Sequence, residues 1–258
     1  MKTLVVKIGG STLGNSDTTV EDLVVLQRRG IPVVVIHGGA KAVSGWLDRL
    51  AIPATFVHGL RVTDLETLGV VTAILAGLVN KELVSAIWNL GGKAVGLSGV
   101  DGGLIKAKNR SPELKYTGEE LKVDSSLLET LLDAGYMPVI APVSLSLSSE
   151  LQKDTNILNV NGDTAAGEIA AALNAERLIF LTDVPGLCDS SGKLVHDLSP
   201  GDARGLIDSG VASGGMATKI DACLRALTTV SVTRIVDGRL HHALFNEIEG
   251  KGDGTTIA

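Results

Sequence analysis

The sequence predicts an α/β protein in which helices cover a parallel sheet. Aromatic residues make up only 3% of the 258 residues whereas hydrophobic residues make up 45%, so the core must be built from aliphatic side chains, as in sheets of that kind. Short apolar runs that end in glycine alternate with longer amphipathic stretches, which is typical of repeated βα units. A β-sandwich or a helical bundle would not show this alternation.

These segments place the main elements and one lobe boundary. We expect a single domain of two lobes, 1–175 and 176–258, although no linker rich in proline or serine marks the boundary. The polar segment 101–123 has no clear period and is interpreted as a hairpin or excursion. Strands are predicted over 4–8, 32–36, 94–97, 137–140 and 178–181, and helices over 17–29, 64–90 and 162–173.

Charge, cysteine content and hydropathy argue against several classes of protein. A net charge of −6 argues against broad nucleic-acid binding, which needs clustered lysine and arginine. Cys188 and Cys223 stand alone, so neither a zinc site nor a disulfide framework is indicated. The first strand follows Thr3 directly, and no run of about 18 uninterrupted apolar residues occurs. We therefore expect no signal peptide, no membrane span and a cytoplasmic location.

Two glycine pairs follow predicted strands. The sequence contains neither a P-loop nor a GxGxxG fingerprint, so a nucleotide must be held differently. Lys7 precedes Gly9 and Gly10, whose N–H groups can approach anionic oxygens closely. His37 precedes a second pair, Gly38–Gly39, and the carboxyl ends of parallel strands line the ligand crevice of such a sheet. Both turns are therefore expected to face one site, with His37 as a helper rather than a ligand or base.

Three other segments concentrate polar groups. The segment 159–163, Asn-Val-Asn-Gly-Asp, alternates two amides and a carboxylate, which on an extended segment would aim all three side chains the same way. Lys219 follows Gly214–Gly215 in the first turn of a predicted helix, where a cation opposes the helix dipole and is slightly disfavoured. Arg61 precedes another predicted helix, and its guanidinium can bind a carboxylate in a bidentate way.

Each segment alone also has a structural explanation. A strand-end lysine can extend to solvent, one asparagine or aspartate suffices to cap a helix, and an arginine is often in a surface ion pair. The loop 181–187 after a buried strand can contact a base or ribose, or simply be a Pro-Gly turn. Only the joint occurrence of the segments favours a functional site.

Taken in chain order, these motifs resemble the amino acid kinase family over almost the entire chain, and most closely its members that act on N-acetyl-L-glutamate. The resemblance implies a three-layer α/β/α fold around a central, mainly parallel sheet. It also implies an N-terminal lobe for the acyl amino acid and a C-terminal lobe for MgATP. It rests on Lys7-x-Gly-Gly, His37-Gly-Gly, Gly59-Leu60-Arg61-Val62-Thr63, Asn159-Val160-Asn161-x-Asp163 and Gly215-Met216-x-x-Lys219.

The resemblance also implies a reaction. ATP, with Mg²⁺ carried by the nucleotide, is expected to phosphorylate the γ-carboxylate of N-acetyl-L-glutamate to an acyl phosphate, a step in arginine biosynthesis. Because a carboxylate is already ionised at pH 7, no general base is needed. Alignment and charge stabilisation then account for catalysis, as in other phosphoryl transfers.

Residue roles follow from the same resemblance. Lys7 and Lys219 are expected to neutralise charge on the transferring phosphoryl group, Asp163 to orient them, and Gly10 to offer a backbone N–H. The expected substrate-binding residues are Gly39, Ala40, Arg61 and Asn159, and the expected nucleotide-binding residues are Asp183, Val184, Pro185, Gly186, Leu187, Cys188, Val211, Ala212 and Ser213.

Two features depart from the family pattern. Ala40 stands where many relatives have a third glycine, and its methyl group narrows the approach to the backbone while leaving the N–H intact. The first strand starts at residue 4, where arginine-inhibited hexameric relatives carry an extra N-terminal helix. We therefore expect a homodimer without arginine feedback.

Two other functions stay open at this point. A related kinase acting on an acylated 2-aminoadipate, held by an acidic carrier protein, would need a basic docking surface, and the net charge of −6 weighs against one. A non-catalytic nucleotide or amino-acid sensor has no developing charge to offset, so it would not need both lysines.

Overall fold

The computed structural model describes residues 3–9, 18–57, 59–109, 111–147 and 154–258. The strands in these ranges are β1 (Leu4–Ile8), β2 (Val33–His37), β3 (Phe56–Val57), β4 (Leu60–Arg61), β5 (Ala94–Ser98), β6 (Ile105–Lys108), β7 (Thr117–Gly118), β8 (Glu120–Val123), β9 (Met137–Ala141), β10 (Val143–Ser146), β11 (Ile157–Val160), β12 (Arg177–Thr182), β13 (Asp197–Leu198), β14 (Val232–Asp237) and β15 (Gly254–Ile257). The α-helices are α1 (Thr19–Arg28), α2 (Ala40–Arg49), α3 (Leu65–Thr72), α4 (Asn80–Asn89), α5 (Ser126–Asp133), α6 (Gly162–Ala172), α7 (Pro200–Asp208), α8 (Gly214–Ala226) and α9 (Ala243–Ile248).

The predicted strands and helices are all present, with ends that differ from the predictions by two residues or fewer. The predicted helix over 64–90 is continuous, but it widens into π-helical turns over Ala73–Val79 between α3 and α4. Within the segment 101–123, predicted to be a hairpin or excursion, β6 and β8 pair antiparallel, while β7 between them pairs with β11. Several short strands of the C-terminal part and of a second sheet have no periodicity long enough to predict.

Eight strands of the described ranges form the central sheet, in the order β13-β15-β14-β12-β1-β2-β9-β5. From β14 to β5 all neighbours are parallel, and β15 runs antiparallel to its neighbour β14. A second, smaller sheet has the order β7-β11-β10-β6-β8. The mainly parallel central sheet confirms the predicted α/β fold class.

Side-chain alternation along β1 divides the helices into two layers. Leu4, Val6 and Ile8 pack into the apolar cluster that includes side chains of α1, α4 and α9. Val5 belongs to the opposite cluster, with side chains of α5, α6 and α8. Because successive side chains of a strand point to opposite faces, Lys7 shares the face of Val5. The sheet is thus the middle layer of an α/β/α sandwich, and Lys7 points toward α6 and α8.

The strand order also identifies the crevice of the sheet. From β1 the chain continues to β2 on one side, whereas the later strands β12 and β14 add to the other side. Ligands of open parallel sheets bind outside the carboxyl ends of the strands at such a reversal. Lys7 lies near the carboxyl end of β1 and therefore at this reversal.

Helices α6 and α8 approach each other closely at Gly167. A Cβ atom added at Gly167 would lie 2.6 Å from the carbonyl oxygen of Ala222 and 3.0 Å from its Cα atom. Backbone atoms cannot move aside as the end of a flexible side chain can. The absence of a side chain at Gly167 therefore sets the spacing of the two helices that carry Asp163 and Lys219.

This contact gives a stability prediction. Gly167→Ala should lower the free energy of unfolding by about 1–3 kcal/mol, because the helices must separate or distort to admit the methyl group. Gly205→Ala is the matched control, since a Cβ at this position of α7 meets nothing within 4 Å and alanine is the better helix former. Urea unfolding of both variants measures the difference. A Gly167→Ala protein as stable as the Gly205→Ala protein would contradict the proposed close packing.

Candidate active site

One carboxylate joins two buried lysines at the carboxyl edge of the central sheet. Asp163, in the first turn of α6, has Oδ1 2.6 Å from Lys7 Nζ and Oδ2 2.8 Å from Lys219 Nζ. The three side chains are only 9–11% exposed. We call these three residues the Lys–Asp–Lys cluster. The structure thus brings together the lysine pair and the carboxylate that the sequence motifs indicated.

The electrostatics of the cluster favour an incoming anion. Burial lowers the pKa of Lys7, and the nearby charge of Lys219 acts in the same direction, while the carboxylate opposes both. Burial alone would raise the pKa of Asp163, but the charges of Lys7 and Lys219 outweigh burial and hold that pKa below its usual range. One carboxylate against two ammoniums leaves an uncompensated positive charge. A buried charge of this kind is stabilised by binding an anion.

The turn before α6 places Asp163. Asn161 is the N-cap residue, and its Oδ1 accepts hydrogen bonds from the N–H groups of Asp163 (2.8 Å) and Thr164 (3.1 Å). Strand β11 ends at Val160 and α6 begins at Gly162, as predicted, so the three polar residues do not share one extended segment. Asn159, Asn161 and Asp163 nevertheless line one cavity, because the helix start turns the last two residues toward it.

The position of Lys219 in its helix also differs from the prediction. Helix α8 already begins at Gly214, so Lys219 is in the second turn rather than the first. Gly215 lies inside the helix, and Gly214, whose φ of 54° is left-handed, is the turn residue at its start. The unfavourable feature of Lys219 is therefore its burial, at 8% exposure, and not its opposition to the helix dipole.

A cavity of about 390 Å³ opens beside the cluster, within the usual size range of small-molecule sites. Gly39 fits closely here, because a Cβ atom at that position would lie 2.5 Å from Leu75 Cδ2. The cavity brings together the four predicted substrate-binding residues with two members of the cluster, and it adds one cation that the sequence motifs did not indicate. These seven lining residues are Lys7, Gly39, Ala40, Lys41, Arg61, Asn159 and Asp163.

Arg61 is held rigidly at the wall of this cavity. It belongs to the short β3–β4 hairpin and is 8% exposed. Its Nη2 donates to Ser44 Oγ (2.8 Å) and to the carbonyl oxygen of Ala40 (3.3 Å), and its guanidinium lies 4.6 Å from the ring centre of Phe56. Burial lowers the pKa of Arg61. Its Nη1 has no hydrogen-bond partner, and no carboxylate of the described residues pairs with it, so the alternative of a surface ion pair does not apply within the described chain.

A buried hydroxyl network fixes Asn159 opposite Arg61. Asn159 Nδ2 donates to Thr63 Oγ1 (3.0 Å). Thr117 Oγ1 contacts Thr63 Oγ1 (2.9 Å) and donates to the carbonyl oxygen of Arg61 (2.7 Å). Neither Thr117 nor Ser44 belongs to a motif that predicts a functional role from the sequence. Thr117 is brought here by the pairing of β7 with β11, a long-range register that no local pattern signals.

His37 is a buried structural residue. Its Nδ1 lies 2.8 Å from the carbonyl oxygen of Gly38, and its Nε2 lies 3.2 Å from Asn80 Nδ2. A proton on Nδ1 and a lone pair on Nε2 satisfy both contacts. This protonation state is the neutral imidazole. Burial lowers the pKa of His37 and so favours the same form. Both ring nitrogens are occupied by protein groups.

The predicted nucleotide-binding residues form two segments around β12 and α8. In the first, Asp183 and Pro185 are exposed, Val184 and Cys188 are half-buried, and Gly186 and Leu187 are buried. The Leu187 N–H donates to Thr255 Oγ1 at 2.8 Å, so Leu187 fixes the loop and presents no side chain to a ligand. In the second, Val211 and Ser213 are exposed and Ala212 is buried. None of these residues lines the cavity of Arg61, and Gly10 lies outside the described residues.

The cluster gives a prediction about stability and pH. Asp163→Asn leaves two buried ammoniums without their carboxylate and should lower the free energy of unfolding at pH 7 by about 3–5 kcal/mol. Because the folded pKa of Asp163 is lowered, its stabilising contribution is present above the unfolded pKa and is lost as pH falls through the folded pKa. The difference from wild type should therefore shrink at acid pH.

Urea unfolding at pH 7 and at about pH 3 measures this dependence. Asp221→Asn is the control, because the Asp221–Arg204 pair is about half exposed (52% and 49%) and should contribute less than about 1 kcal/mol. Equal effects of the two substitutions, or an Asp163→Asn effect that does not change with pH, would contradict this account of the cluster.

The chain is similar to several known proteins over nearly its whole length. An acetylglutamate kinase of Dehalococcoides mccartyi is 46% identical over 254 residues, which cover 98% of this chain and 93% of that protein. The structure of N-acetylglutamate synthase from Neisseria gonorrhoeae, complexed with coenzyme A and N-acetyl-glutamate, is 27% identical with a TM-score of 0.85, and the match covers 100% of this chain and 59% of that one. Carbamate kinase from Giardia lamblia bound to AMP-PNP shares the fold at 16% identity and a TM-score of 0.71, covering 99% of this chain and 98% of that one.

The sequence profile of the amino acid kinase family matches residues 2–237. This range contains the whole Lys–Asp–Lys cluster and the residues of the adjoining cavity described above. The chain belongs to the amino acid kinase family.

Proposed function

We propose that this protein transfers the γ-phosphoryl group of ATP to the γ-carboxylate of N-acetyl-L-glutamate, a step in arginine biosynthesis. The observation that carries the proposal is a cavity lined by two separate cationic groups. One is the Lys–Asp–Lys cluster, and the other is Arg61, whose Nη1 is unpaired; we call these the two ends of the cavity. N-acetyl-L-glutamate carries two carboxylates, one to react and one to be held. The acetylglutamate kinases that are 46% identical over nearly the whole chain support the same substrate.

In the proposed reaction an oxygen of the γ-carboxylate attacks the γ-phosphorus of ATP. A new O–P bond forms, the bond from the γ-phosphorus to the β,γ-bridging oxygen breaks, and ADP leaves with that electron pair. No proton has to move, because the nucleophile is already ionised. The work left to the protein is to align the two reactants and to offset negative charge in the transition state.

The Lys–Asp–Lys cluster is suited to the second task. Lys7 and Lys219 are held by one carboxylate within 2.6–2.8 Å of its oxygens, so their ammoniums are positioned before the substrates arrive. Fixed charges in a site of low exposure stabilise a transition state without reorganisation at the moment of reaction. Asp163 is thus a positioning residue that also keeps the two like charges together.

The four predicted substrate-binding residues are assigned to the acyl amino acid, at both ends of the cavity. Arg61 would bind the α-carboxylate through Nη1, and Asn159 would bind the substrate from the facing strand. The N–H groups of Gly39 and Ala40, at the start of α2, would hold the reacting carboxylate. We keep Gly10 in the proposal as a further N–H donor toward the phosphoryl group.

ATP is assigned to the C-terminal lobe, 176–258, whose strands occupy one half of the central sheet, and the acyl amino acid to the lobe 1–175. The segments Asp183–Cys188 and Val211–Ser213 would hold the nucleotide.

Among the described residues no group of three potential ligands from His, Cys, Asp and Glu is placed to hold a metal ion, and Asp163 is occupied by two lysines. We therefore assign Mg²⁺ to the phosphate oxygens of ATP, where it would offset their charge.

We also propose a cytoplasmic homodimer. The helical segment Leu65–Asn89 is long and apolar enough, by composition alone, to cross a membrane. It contains Lys81 and Glu82, however, and its buried face packs on the central sheet through Leu83 and Ile87. The exposed face retains Leu78 and Trp88, 40% and 49% exposed, and a second copy of the chain would cover it.

Sedimentation velocity tests the dimer. The wild-type protein should sediment with twice the monomer mass of 26.7 kDa, and Leu78→Glu should shift it toward monomer because a charge cannot be buried unpaired at an interface. Leu240→Glu, at another exposed leucine (54%), is the control. A monomeric wild type, or a dimer unaffected by Leu78→Glu, would contradict this interface.

A substrate assay tests the proposed function. Purified protein with MgATP should phosphorylate N-acetyl-L-glutamate, and hydroxylamine should trap the acyl phosphate that forms. The same assay with N-acetyl-2-aminoadipate tests the related lysine-pathway reaction. Failure to turn over N-acetyl-L-glutamate would overturn the proposal, and turnover of neither substrate would favour a non-catalytic sensor.

The catalytic roles of Lys7 and Lys219 can be measured separately from substrate binding. Lys7→Ala and Lys219→Ala should each lower kcat by at least about 100-fold, the usual loss when a fixed transition-state donor is removed, while KM for N-acetyl-L-glutamate changes only a few-fold. Lys251→Ala, at an exposed lysine outside the cavity, is the control. Near-wild-type kcat in either cluster variant would show that the assigned role is wrong.

A further inference from the structure

The cavity contains a second cation beside Arg61 that the proposed reaction has not used. Lys41 is the second residue of α2 and lines the same cavity. We propose that Lys41 binds the α-carboxylate of the substrate together with Arg61, and that this pair makes the enzyme select substrates with a negative charge at that position. The inference rests on the proposed function and names a specificity-determining residue of the same site.

Helix α2 places Lys41 on the side that holds Arg61. Residues three apart in a helix are neighbours on one face, so Lys41 lies beside Ser44. The Oγ of Ser44 accepts the 2.8 Å hydrogen bond from Arg61 Nη2, and the carbonyl oxygen of Ala40, one residue before Lys41, accepts the other. The first turn of α2 is therefore both the anchor of Arg61 and the attachment point of Lys41.

The charges around the cavity are unbalanced at this end. The charged lining residues of the described chain are Lys7, Lys41, Arg61 and Asp163. The one carboxylate among them is bound to Lys7 and Lys219. No carboxylate of the described residues forms an ion pair with Lys41 or Arg61. Lys41 and Arg61 thus line the same cavity without a carboxylate partner among the described residues, and an anion bound by both would relieve the repulsion of their like charges.

Arg61 shows that this end is built for a ligand. Its side chain is more than nine-tenths buried, three of its contacts come from Ser44, Ala40 and Phe56, and Nη1 has no partner. A buried guanidinium N–H left unpaired is costly unless a ligand completes it. Lys41 is exposed by comparison, so its long side chain can reach the second oxygen of a carboxylate that Arg61 has fixed.

This arrangement predicts discrimination between a carboxylate and its amide. A carboxylate offers one oxygen to Arg61 Nη1 and the other to Lys41, with two charge-assisted hydrogen bonds. A neutral carboxamide of the same shape leaves both cations without a counter-charge and presents an NH₂ group to one of them. N-acetyl-L-isoglutamine is such a substrate, since it keeps the reactive γ-carboxylate and replaces only the α-carboxylate.

The experiment compares the two compounds with the wild type and Lys41→Met. Both kcat/KM from turnover with MgATP and Kd from calorimetry are measured for each compound. The preference of the wild type for the acid over the amide should fall about tenfold in Lys41→Met, as expected for loss of one charged contact. KM for N-acetyl-L-glutamate should rise by a similar factor, with kcat within about twofold of wild type. Lys41→Arg should recover most of the preference, and Lys251→Met should leave it unchanged.

The outcomes separate the inference from the proposed function. An acid-to-amide preference that is unchanged in Lys41→Met overturns the role of Lys41, even if activity falls for both compounds. If the wild type binds N-acetyl-L-glutamate without turning it over, the proposed function fails and the ratio of Kd values decides the role of Lys41. If the wild type neither binds nor turns over the compound, both proposals are overturned. Because Lys41 is exposed on a helix surface, Lys41→Met is expected to fold, and its thermal midpoint checks this.

Discussion

The structure depends on one carboxylate that accepts two ammoniums. Asp163 can hold Lys7 and Lys219 only because β1, α6 and α8 meet at one edge of the sheet, with Gly167 setting the spacing of the two helices. Three charges in so little solvent would be unfavourable unless their geometry were fixed and their net charge useful. The cluster therefore has the character of a site for a transient anion. Packing alone would be served as well by three apolar side chains.

The other end of the cavity follows the same logic with a different purpose. Here the protein leaves Nη1 of the buried Arg61 unpaired, and the exposed Lys41 lines the same cavity. In the proposed reaction, these groups would hold the carboxylate that does not react, whereas the cluster would face the charge that develops. Separating the two tasks would let binding energy at one carboxylate orient the other for in-line attack. Such alignment needs rigid side chains. The hydroxyl groups of Ser44, Thr63 and Thr117 hold Arg61 and Asn159 in place.

The site residues that could be predicted from the sequence are those marked by a local sequence pattern. Lys7 and Asp163 are each tied to a strand end or a helix start, and both features leave patterns of a few residues. The predictions failed where they depended on long-range contacts or on exact helix boundaries, which a short stretch of sequence does not reveal. Asn161 is the cap of α6, one of the two roles that its motif allowed, whereas α8 begins before its glycines end, so Lys219 is one turn further along than predicted. Thr117 and Ser44 are set by strand register and by helix placement, which only the folded chain determines.

In the proposed mechanism, Lys7 and Lys219 neutralise the negative charge of the transferring phosphoryl group while Asp163 holds them in place. The most direct measurement is a crystal structure with MgADP, aluminium fluoride and N-acetyl-L-glutamate, in which the metal fluoride occupies the place of the transferring phosphoryl group. The account predicts that both Nζ atoms lie within about 3 Å of fluorine or oxygen atoms of that group, with Asp163 still contacting both lysines. A structure in which either Nζ contacts only Asp163 and points away from the fluoride would contradict it.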